Sequence, residues 1–498
     1  MSSAAIILLT LLLLNLPVGV QAGPGGDLSL VNFTPYDWRL NYSHAYQIKW
    51  KPPNLISAGS NYKLYIEYTD SRDDGDCGAD ATFELVGSPV PASFTVQARQ
   101  THGKKIQIQY HDQLASLGVA ENSLIDLGFD WDGSVLFVLS GDGTTPYISS
   151  NPPIGWMQAT LSTIGNRTIR EISMPLSHDA GMSEVKSSPW FGGVWHNVCT
   201  QDAIVQEQLQ YGARWFDIRP FNRDGNWLTG HFSTSLGNNH VGGAGRSIND
   251  IVDGINSFTS QHPGEFIVLE ISHELSYDHA KLYQWKDKFT HSEWMGLYDK
   301  LARINELWAP SEDVFNSLPS DLTTVPMSTF IKPGSRSAVI IRIPDGAPPA
   351  IGINSNAFIH ENRLVWTGSF SDTRDPSNLR KDQLAKLTTD RASRDRPPHR
   401  STWTITQKGT AVTDVAYWKS SIIGLSYLAH RVLLGDLWAH LTKDTYPNLI
   451  EIDNFHNSHV TAMCMAINDH YVNYNGPGSE EVGARKMSRG IRTGLSAY

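Results

Sequence analysis

Along the first third of the chain, apolar residues fall on every second position. Tyr46-Gln-Ile-Lys-Trp50, Tyr62-Lys-Leu-Tyr-Ile-Glu-Tyr68 and Lys105-Ile-Gln-Ile-Gln-Tyr110 alternate in this way, with turn residues between the runs. A period of two predicts antiparallel strands with one wet face. Residues 23–150 are therefore expected to form a smaller all-β module, a sandwich by preference. The stretch from Asp70 to Asp80 superficially resembles a calcium loop, but its spacing does not fit an EF-hand. It reads as a solvated hairpin loop. Ser149-Ser-Asn-Pro-Pro153 reads as a linker, and a second region is expected over 151–475, its structure beginning near Trp156, followed by a polar tail over 476–498.

In that second region the pattern changes to apolar runs separated by helical or looped stretches. The runs are Ile172–Leu176, Arg214–Arg219, Trp227–Phe232, Glu265–Ser272, Ala338–Ile343, Leu364–Gly368, Trp403–Gln407 and Leu449–Phe455. Several are apolar on successive residues, as parallel strands buried on both faces require. Eight such strands predict an α/β fold of TIM type, a closed (β/α) barrel. Between the first two runs, Ile204, Val205 and Leu209 share a helical face, and Gly212 stands where a helix C-cap glycine belongs.

Composition narrows the function. The 498 residues carry 40 Lys plus Arg against 50 Asp plus Glu, a formal charge of −10. That disfavours nucleic acid as a partner. Three cysteines, Cys77, Cys199 and Cys464, allow at most one intrachain disulfide and exclude a four-cysteine zinc module. Ala4 to Leu14 is nearly all apolar and Val20-Gln-Ala22 resembles a small-residue cleavage site. We expect a signal peptide over 1–22 and a secreted, extracellular product. Asn32, Asn41 and Asn166 head glycosylation triplets consistent with export.

In a parallel barrel, chemistry gathers where strands end at their C-terminal side. There the chain places His178 and Asp179, then Asp217 and Arg219, then His231, then His273 and Glu274, then Arg342, and finally Asp453. Two histidines permit one to act as base while the other acts as acid. An arginine offers a fork of donors to phosphate oxygens. Carboxylates behind the imidazoles fix their tautomers. This is equipment for cleaving a phosphodiester. A phosphate-binding Gly-rich loop, a Gly-x-Ser-x-Gly elbow and a His-Glu-x-x-His motif are all missing from the sequence.

Four segments resemble the phosphatidylinositol-specific phospholipase C family, in the bacterial-type arrangement also found in secreted fungal relatives. Ser173-Met-Pro-Leu-Ser-His178-Asp-Ala-Gly-Met is similar to the opening X-box. Gly212-Ala-Arg-Trp-Phe-Asp-Ile-Arg219 is similar to the second-strand motif. Thr229-Gly-His231-Phe-Ser and Pro263-Gly-Glu-Phe-Ile-Val-Leu-Glu-Ile-Ser resemble the later two. Leu176 and Ser177 depart from the more usual Gly-Thr. The resemblance spans roughly 155–475. It implies His178 as general base oriented by Asp453, Arg219 as stabiliser of the phosphorus centre, and His231 as general acid aided by Asp179. Asp217, Glu270, His273 and Arg342 are the candidates for substrate contacts.

The same resemblance implies a metal-free site, because Arg219 stands where the calcium-dependent branch places its ion. Calcium held by Asp217, Glu270 and Glu274 is the alternative. The implied substrate is a phospholipid or phosphoinositide, reached by peripheral membrane contact, with Trp190, Phe191 and Trp195 as candidate docking aromatics or lid residues. Rival readings are a glycerophosphodiester phosphodiesterase or sphingomyelinase D-like enzyme, and a non-catalytic lipid- or glycan-binding protein. The first two normally carry a Glu-x-Asp pair where this chain has Asp217-Ile-Arg219.

Overall fold

The computed structural model describes residues 25–72, 74–187, 193–234, 240–278, 284–352, 354–407 and 420–473. They form a mixed α/β structure with four sheets. The expected signal peptide and polar tail lie outside the described residues, as do Trp190 and Phe191. Among the described residues, no helix is long and apolar enough to cross a membrane.

Two sheets occupy residues 25–149. A six-stranded sheet runs in the order Leu55–Ile56, Asp37–Tyr46, Gly78–Val86, Ala92–Arg99, Lys105–Asp112, Leu124–Gly128. A five-stranded sheet runs Ile148–Ser149, Ser134–Ser140, Gly25–Phe33, Ser60–Tyr68, Ile48–Trp50. Alternation works as expected in Lys105–Asp112, where Ile106, Ile108 and Tyr110 are buried between half-exposed polar residues. Trp38, Phe83, Phe94 and Phe137 fill the space between the sheets. Trp38 meets Phe94 edge-on at 4.9 Å, a pairing that contributes about 0.5–1.5 kcal/mol beyond area burial.

One wet face is not found throughout. Gly25–Phe33 and Ser134–Ser140 are buried along their whole length and pair in parallel. Leu28, Leu30, Val135 and Phe137 face the other sheet. Val31, Phe33, Leu136 and Val138 instead join the core of the second region, against helices Ile422–Asp436 and His459–Asn473. Both strands are apolar on successive residues, the signature of burial on both faces. The Asp70–Asp80 loop also differs from expectation. It joins strands of different sheets and is not a hairpin loop. Ser149 and Ser150 are buried, and Ser150 Oγ donates to the Leu136 carbonyl at 2.7 Å.

The second region is built on a seven-stranded parallel sheet in the order Phe358–His360, Ala338–Ile343, Phe266–Ile271, Trp215–Ile218, Met174–Ser177, Leu449–Ile452, Arg400–Trp403. Two departures from the expected eight-stranded closed barrel have clear causes. Trp227–Phe232 is not its third strand. Asn226–Thr234 folds back antiparallel on Pro220–Arg223 and His240–Ser247 in a separate five-stranded sheet. Leu364–Gly368 is not a strand either. It makes one bridge, Thr367 to His399, and the two edges of the sheet do not pair with each other. Gly368 passes so close to Arg400, at a φ of 119°, that a Cβ would lie 2.1 Å from its carbonyl oxygen. Phe358–His360 supplies the edge strand that the sequence reading lacked.

The expected helix is present as Val205–Gln210, with Val205 and Leu209 buried. Gly212 ends it at a φ of 106°, and a Cβ there would lie 2.4 Å from Thr461. Both its conformation and its close approach to Thr461 require glycine. All three cysteines are free and buried, so no disulfide forms. Asn41 and Asn166 are exposed. Asn32 is buried and donates to the carbonyls of Tyr36 and Ile56, so this packing leaves no room for a glycan there.

Candidate functional site

Register brings the site together. Ser177 pairs with Ile452 on one side and Phe216 on the other. The residues just past these strand ends are His178, Asp453 and, beyond Ile218, Arg219. The Asp453 carboxylate lies 2.6 Å from His178 Nδ1. A carboxylate can only accept there, so Nδ1 carries hydrogen and donates. The lone pair is left on Nε2, where Arg219 Nη2 donates at 2.7 Å. Burial lowers the proton affinity of His178, but Asp453 outweighs it and the pKa is raised above 6.5. Burial likewise raises Asp453.

Arg219 is held in turn by Asp217, which accepts from Nε at 3.0 Å and lies 2.9 Å from Nη2. Asp217 also accepts from Ser272 Oγ at 2.5 Å and from the Asp179 backbone at 3.1 Å. Burial opposes its charge, yet Arg219 holds it well below the ordinary carboxylate range. Arg219 itself is raised, as Asp217 and Asp179 overcome its burial. Asp217, expected as a substrate contact, has both oxygens engaged within the chain and faces the arginine.

Asp179 sits at a φ of 41°, an uncommon conformation for a residue with a side chain. Its carboxyl is buried without a hydrogen-bond partner, and its nearest cation is Arg219 Nη1 at 3.5 Å. Burial pushes its pKa up to about 7. It makes no hydrogen bond to His231, the residue it was expected to assist. His231 instead donates Nδ1–H to the Val198 carbonyl at 3.0 Å, leaving Nε2 unprotonated in the neutral ring. Burial, then the charge of Arg219, push His231 down to about 3. Its hairpin is tied to the site by the Gly230 N–H, which donates to the Arg219 carbonyl at 2.9 Å.

Glu270 and Arg342 lie among the strands beneath this rim. They pair at 3.1 Å. Glu270 also accepts from Trp215 Nε1 at 2.7 Å and meets Arg400 Nη1 at 3.3 Å. Arg342 donates to the Leu364 carbonyl at 2.9 Å and reaches Glu361 at 3.3 Å. Trp366 covers Arg400 and Arg342, with guanidinium carbons 4.6 and 5.5 Å from its ring centroid. This pair is a closed ionic network under the rim. His273 is exposed at the rim and donates from Nδ1 to Ser272 Oγ at 3.0 Å. Partial desolvation of the ring by the surrounding rim, then the nearby Arg219 charge, lowers it to about 4. A cavity of ≈ 380 Å³ opens beside Arg219 and His273, with Phe232, His240, Glu274 and Lys288 in its wall. Trp195 turns inward onto the small cluster of Met182, Val198 and Cys199.

The three carboxylates nominated for calcium do not converge. Glu270 is held by two arginines, and Glu274 accepts from Lys288 at 2.9 Å and from the Phe289 N–H. Among the described residues, the trio whose ligand atoms lie within 4.8 Å of one another is His178, Asp217 and Glu451. Arg219 already donates to the first two and Arg400 pairs with the third. Cations of the chain thus occupy the places an ion would take.

Three residues of the site escaped the sequence reading. Arg400 opens the strand Arg400–Trp403, whose apolar pattern begins only at Trp403. Glu451 is a lone acid in an apolar run. Buried Gln201 donates to the His178 carbonyl at 2.7 Å and accepts the Phe455 N–H at 2.7 Å, bracing the two strand ends that carry His178 and Asp453.

No family model and no curated protein matches the chain. Solved structures do. A phosphatidylinositol-specific phospholipase C from Staphylococcus aureus, carrying pentafluoro-Phe, is 16% identical with a TM-score of 0.43. It covers 64% of this chain and 98% of its own. The phosphatidylinositol-specific phospholipase C from Listeria monocytogenes is 15% identical with a TM-score of 0.37, over 64% of this chain and 98% of its own. At these TM-scores the likeness identifies neither a family nor an activity.

Proposed function

We propose that the chain is a phosphodiesterase of the phospholipase C type. The observation that carries this reading is one imidazole nitrogen, His178 Nε2, bearing a lone pair and facing a guanidinium at 2.7 Å, with Asp453 behind the ring. A base and an anion-binding fork share one point. That is what a phosphodiester with a neighbouring hydroxyl requires. The motifs around His178, Arg219 and His231 support the same reading.

In this mechanism the substrate phosphate takes the Arg219 donor that His178 accepts in the free protein. His178 Nε2 then removes the proton of the adjacent hydroxyl. That oxygen forms a bond to phosphorus, the bond to the leaving oxygen breaks, and the leaving oxygen takes a proton from His231 Nε2. The product is a cyclic phosphate. Intramolecular attack gains from proximity, and Arg219 meets charge building on the nonbridging oxygens. His231 is neutral in the free protein because burial, then the charge of Arg219, depress it. A bound phosphate anion offsets that charge and lets it take up the proton it must later give. Asp217 positions Arg219, while Glu270 and Arg342 hold the strands together beneath. The reaction needs no metal, since Arg219 supplies the positive charge. We further propose a phospholipid-class substrate met at a membrane surface, and export of the chain through its apolar N-terminus.

The test is a panel of phosphodiesters followed by phosphorus NMR. Phosphatidylinositol and other diesters with a vicinal hydroxyl are expected to give a cyclic phosphate. Turnover confined to diesters that lack such a hydroxyl would overturn the mechanism.

A further inference from the structure

The 25–149 segment touches the site through a cluster of histidines. Asp130 lies in the turn between two strands of different N-terminal sheets, Leu124–Gly128 and Ser134–Ser140. Its Oδ1 meets His456 Nε2 at 3.4 Å. His456 Nδ1 donates to the Asn454 carbonyl at 2.8 Å, next along the chain from Asp453. His430, on helix Ile422–Asp436, stacks on His456 with ring centroids 6.0 Å apart, and its Nε2 donates to the Asp453 carbonyl at 2.9 Å. His459 Nε2 donates to the Leu127 carbonyl at 3.1 Å. The backbone of Asp453 is thus fixed by contacts that lead, within two residues, to the N-terminal segment.

We propose that the N-terminal β segment is a working part of the site, with Asp130 a positioning residue that sets the 453–457 loop and through it the Asp453–His178 pair. This rests on the phosphodiesterase reading for its kinetic consequence, though not for its structural one. Other bonds dock the segment without touching that loop. Asp27 accepts from Arg431 Nε at 2.7 Å, and Ser140 Oγ donates to Asp469 at 2.6 Å. The loop contact through Asp130 can therefore be separated from docking in general.

The groups facing His456 are Asp130 from the N-terminal segment, Asp202 from the loop before helix Val205–Gln210, His430 and Tyr427 from helix Ile422–Asp436, and His459 from helix His459–Asn473. The Asn457 amide stands 2.9 Å from its Nε2. Burial lowers the His456 pKa, but Asp130 more than reverses this and raises it to about 9.

The experiment compares Asp130→Asn with Asp27→Asn in the full chain, reading the His178 ring by proton–carbon NMR as pH is varied, together with kcat and KM. Asp130→Asn is expected to displace the His178 titration and to lower kcat by up to about 100-fold, as misplacement of a reacting group does, with KM little changed. Asp27→Asn is expected to lower Tm and leave both readouts at wild type. An unaltered His178 titration in Asp130→Asn overturns the proposal, and so does the same displacement in Asp27→Asn. Should Asp130→Asn fail to fold, the wild-type titration decides. The His178 resonance then shows a second step at the pH where His456 titrates, and its absence refutes the coupling. If wild-type protein cleaves no diester, the phosphodiesterase reading fails while the ring titration still judges the positioning role.

Discussion

His178 Nε2 and Arg219 Nη2 stand 2.7 Å apart, although both groups can be cationic. The contact is favourable only while His178 is neutral, with its lone pair aimed at the guanidinium. Asp453 and Asp217 make that compatible with burial. One holds the imidazole tautomer and the other neutralises Arg219. The free protein therefore holds its base in the reactive tautomer, capped by the group that the substrate must claim.

His178→Ala and His231→Ala should each abolish diester cleavage while leaving the far-ultraviolet circular dichroism intact. Loss of an acid–base partner costs about 10²–10⁴ in rate. Asp453→Asn tests the tuning. His178 is raised because Asp453 outweighs its burial, and the base must be deprotonated to act. The acidic limb of kcat/KM should therefore lie above 6.5 in wild type and move to lower pH in Asp453→Asn. An unmoved limb would falsify the assignment of His178 as base.

Stability should fall on the acid side. Burial depresses His231 to about 3 and His399, His430 and His459 to about 4. A histidine depressed in the folded state contributes its full stability above its unfolded pKa, and that stability is lost as pH falls toward the folded value. The window here runs from about 6.5 down to about 4, and to about 3 for His231, with a slope of about 1.4 kcal/mol per pH unit for each proton taken up by the unfolded chain alone. His456, raised to about 9, acts oppositely and loses its contribution as pH rises from about 6.5 to about 9. Thermal melts should give a maximum near neutral pH. A Tm that stays constant from pH 7 to pH 4 would show that the rings are not buried neutral in the folded protein.

Much of this arrangement was legible because strand ends announce themselves. Apolar runs stop at His178, Arg219 and Asp453, and a parallel sheet gathers such ends on one rim. The position of His231 was legible but its setting was not. Antiparallel hairpin pairing and parallel sheet pairing give the same short apolar run, and Asn226–Thr234 took the hairpin. Arg400 was hidden because its strand begins with Arg-Ser-Thr, polar residues that meet Glu451, Glu270 and Gln383 in the interior. The continuous apolar run of Ser134–Ser140 indicated burial on both faces, which an expectation of one wet face passed over. Contacts across long separations, such as Asp130 with His456, leave no local pattern at all.

Chelation should leave activity unchanged. Glu270, Glu274 and Glu451 are each paired with a cation of the chain, and Asp217 with Arg219. Diester cleavage measured before and after dialysis against a chelator should agree within error. A dead enzyme restored by calcium would mean that these pairs open to admit an ion and that Arg219 is not the charge carrier.

Arg219→Lys should be nearly as damaging as Arg219→Ala. The native guanidinium does three things at once. Nε and Nη2 fix it to Asp217, Nη1 points toward Asp179, and Nη2 reaches His178. A lysine ammonium is a single point on a flexible stem. Beside Asp217, which lies well below the ordinary carboxylate range, it would settle on the carboxylate and leave His178 and the phosphate without their donor. Losing one donor aimed at developing charge costs about 2.7–4 kcal/mol, so kcat should fall by roughly a hundredfold or more, with KM changed less. Asp179 gives a second readout. Burial raises it to about 7 while Arg219 opposes the rise. Carbon-detected NMR of the Asp179 carboxyl should therefore show the wild-type titration moving upward in Arg219→Ala. In Arg219→Lys it should move less, because a positive charge stays nearby. A Lys variant that keeps more than about a third of wild-type kcat would mean that charge alone suffices, and that the fork geometry beside His178 contributes nothing to turnover.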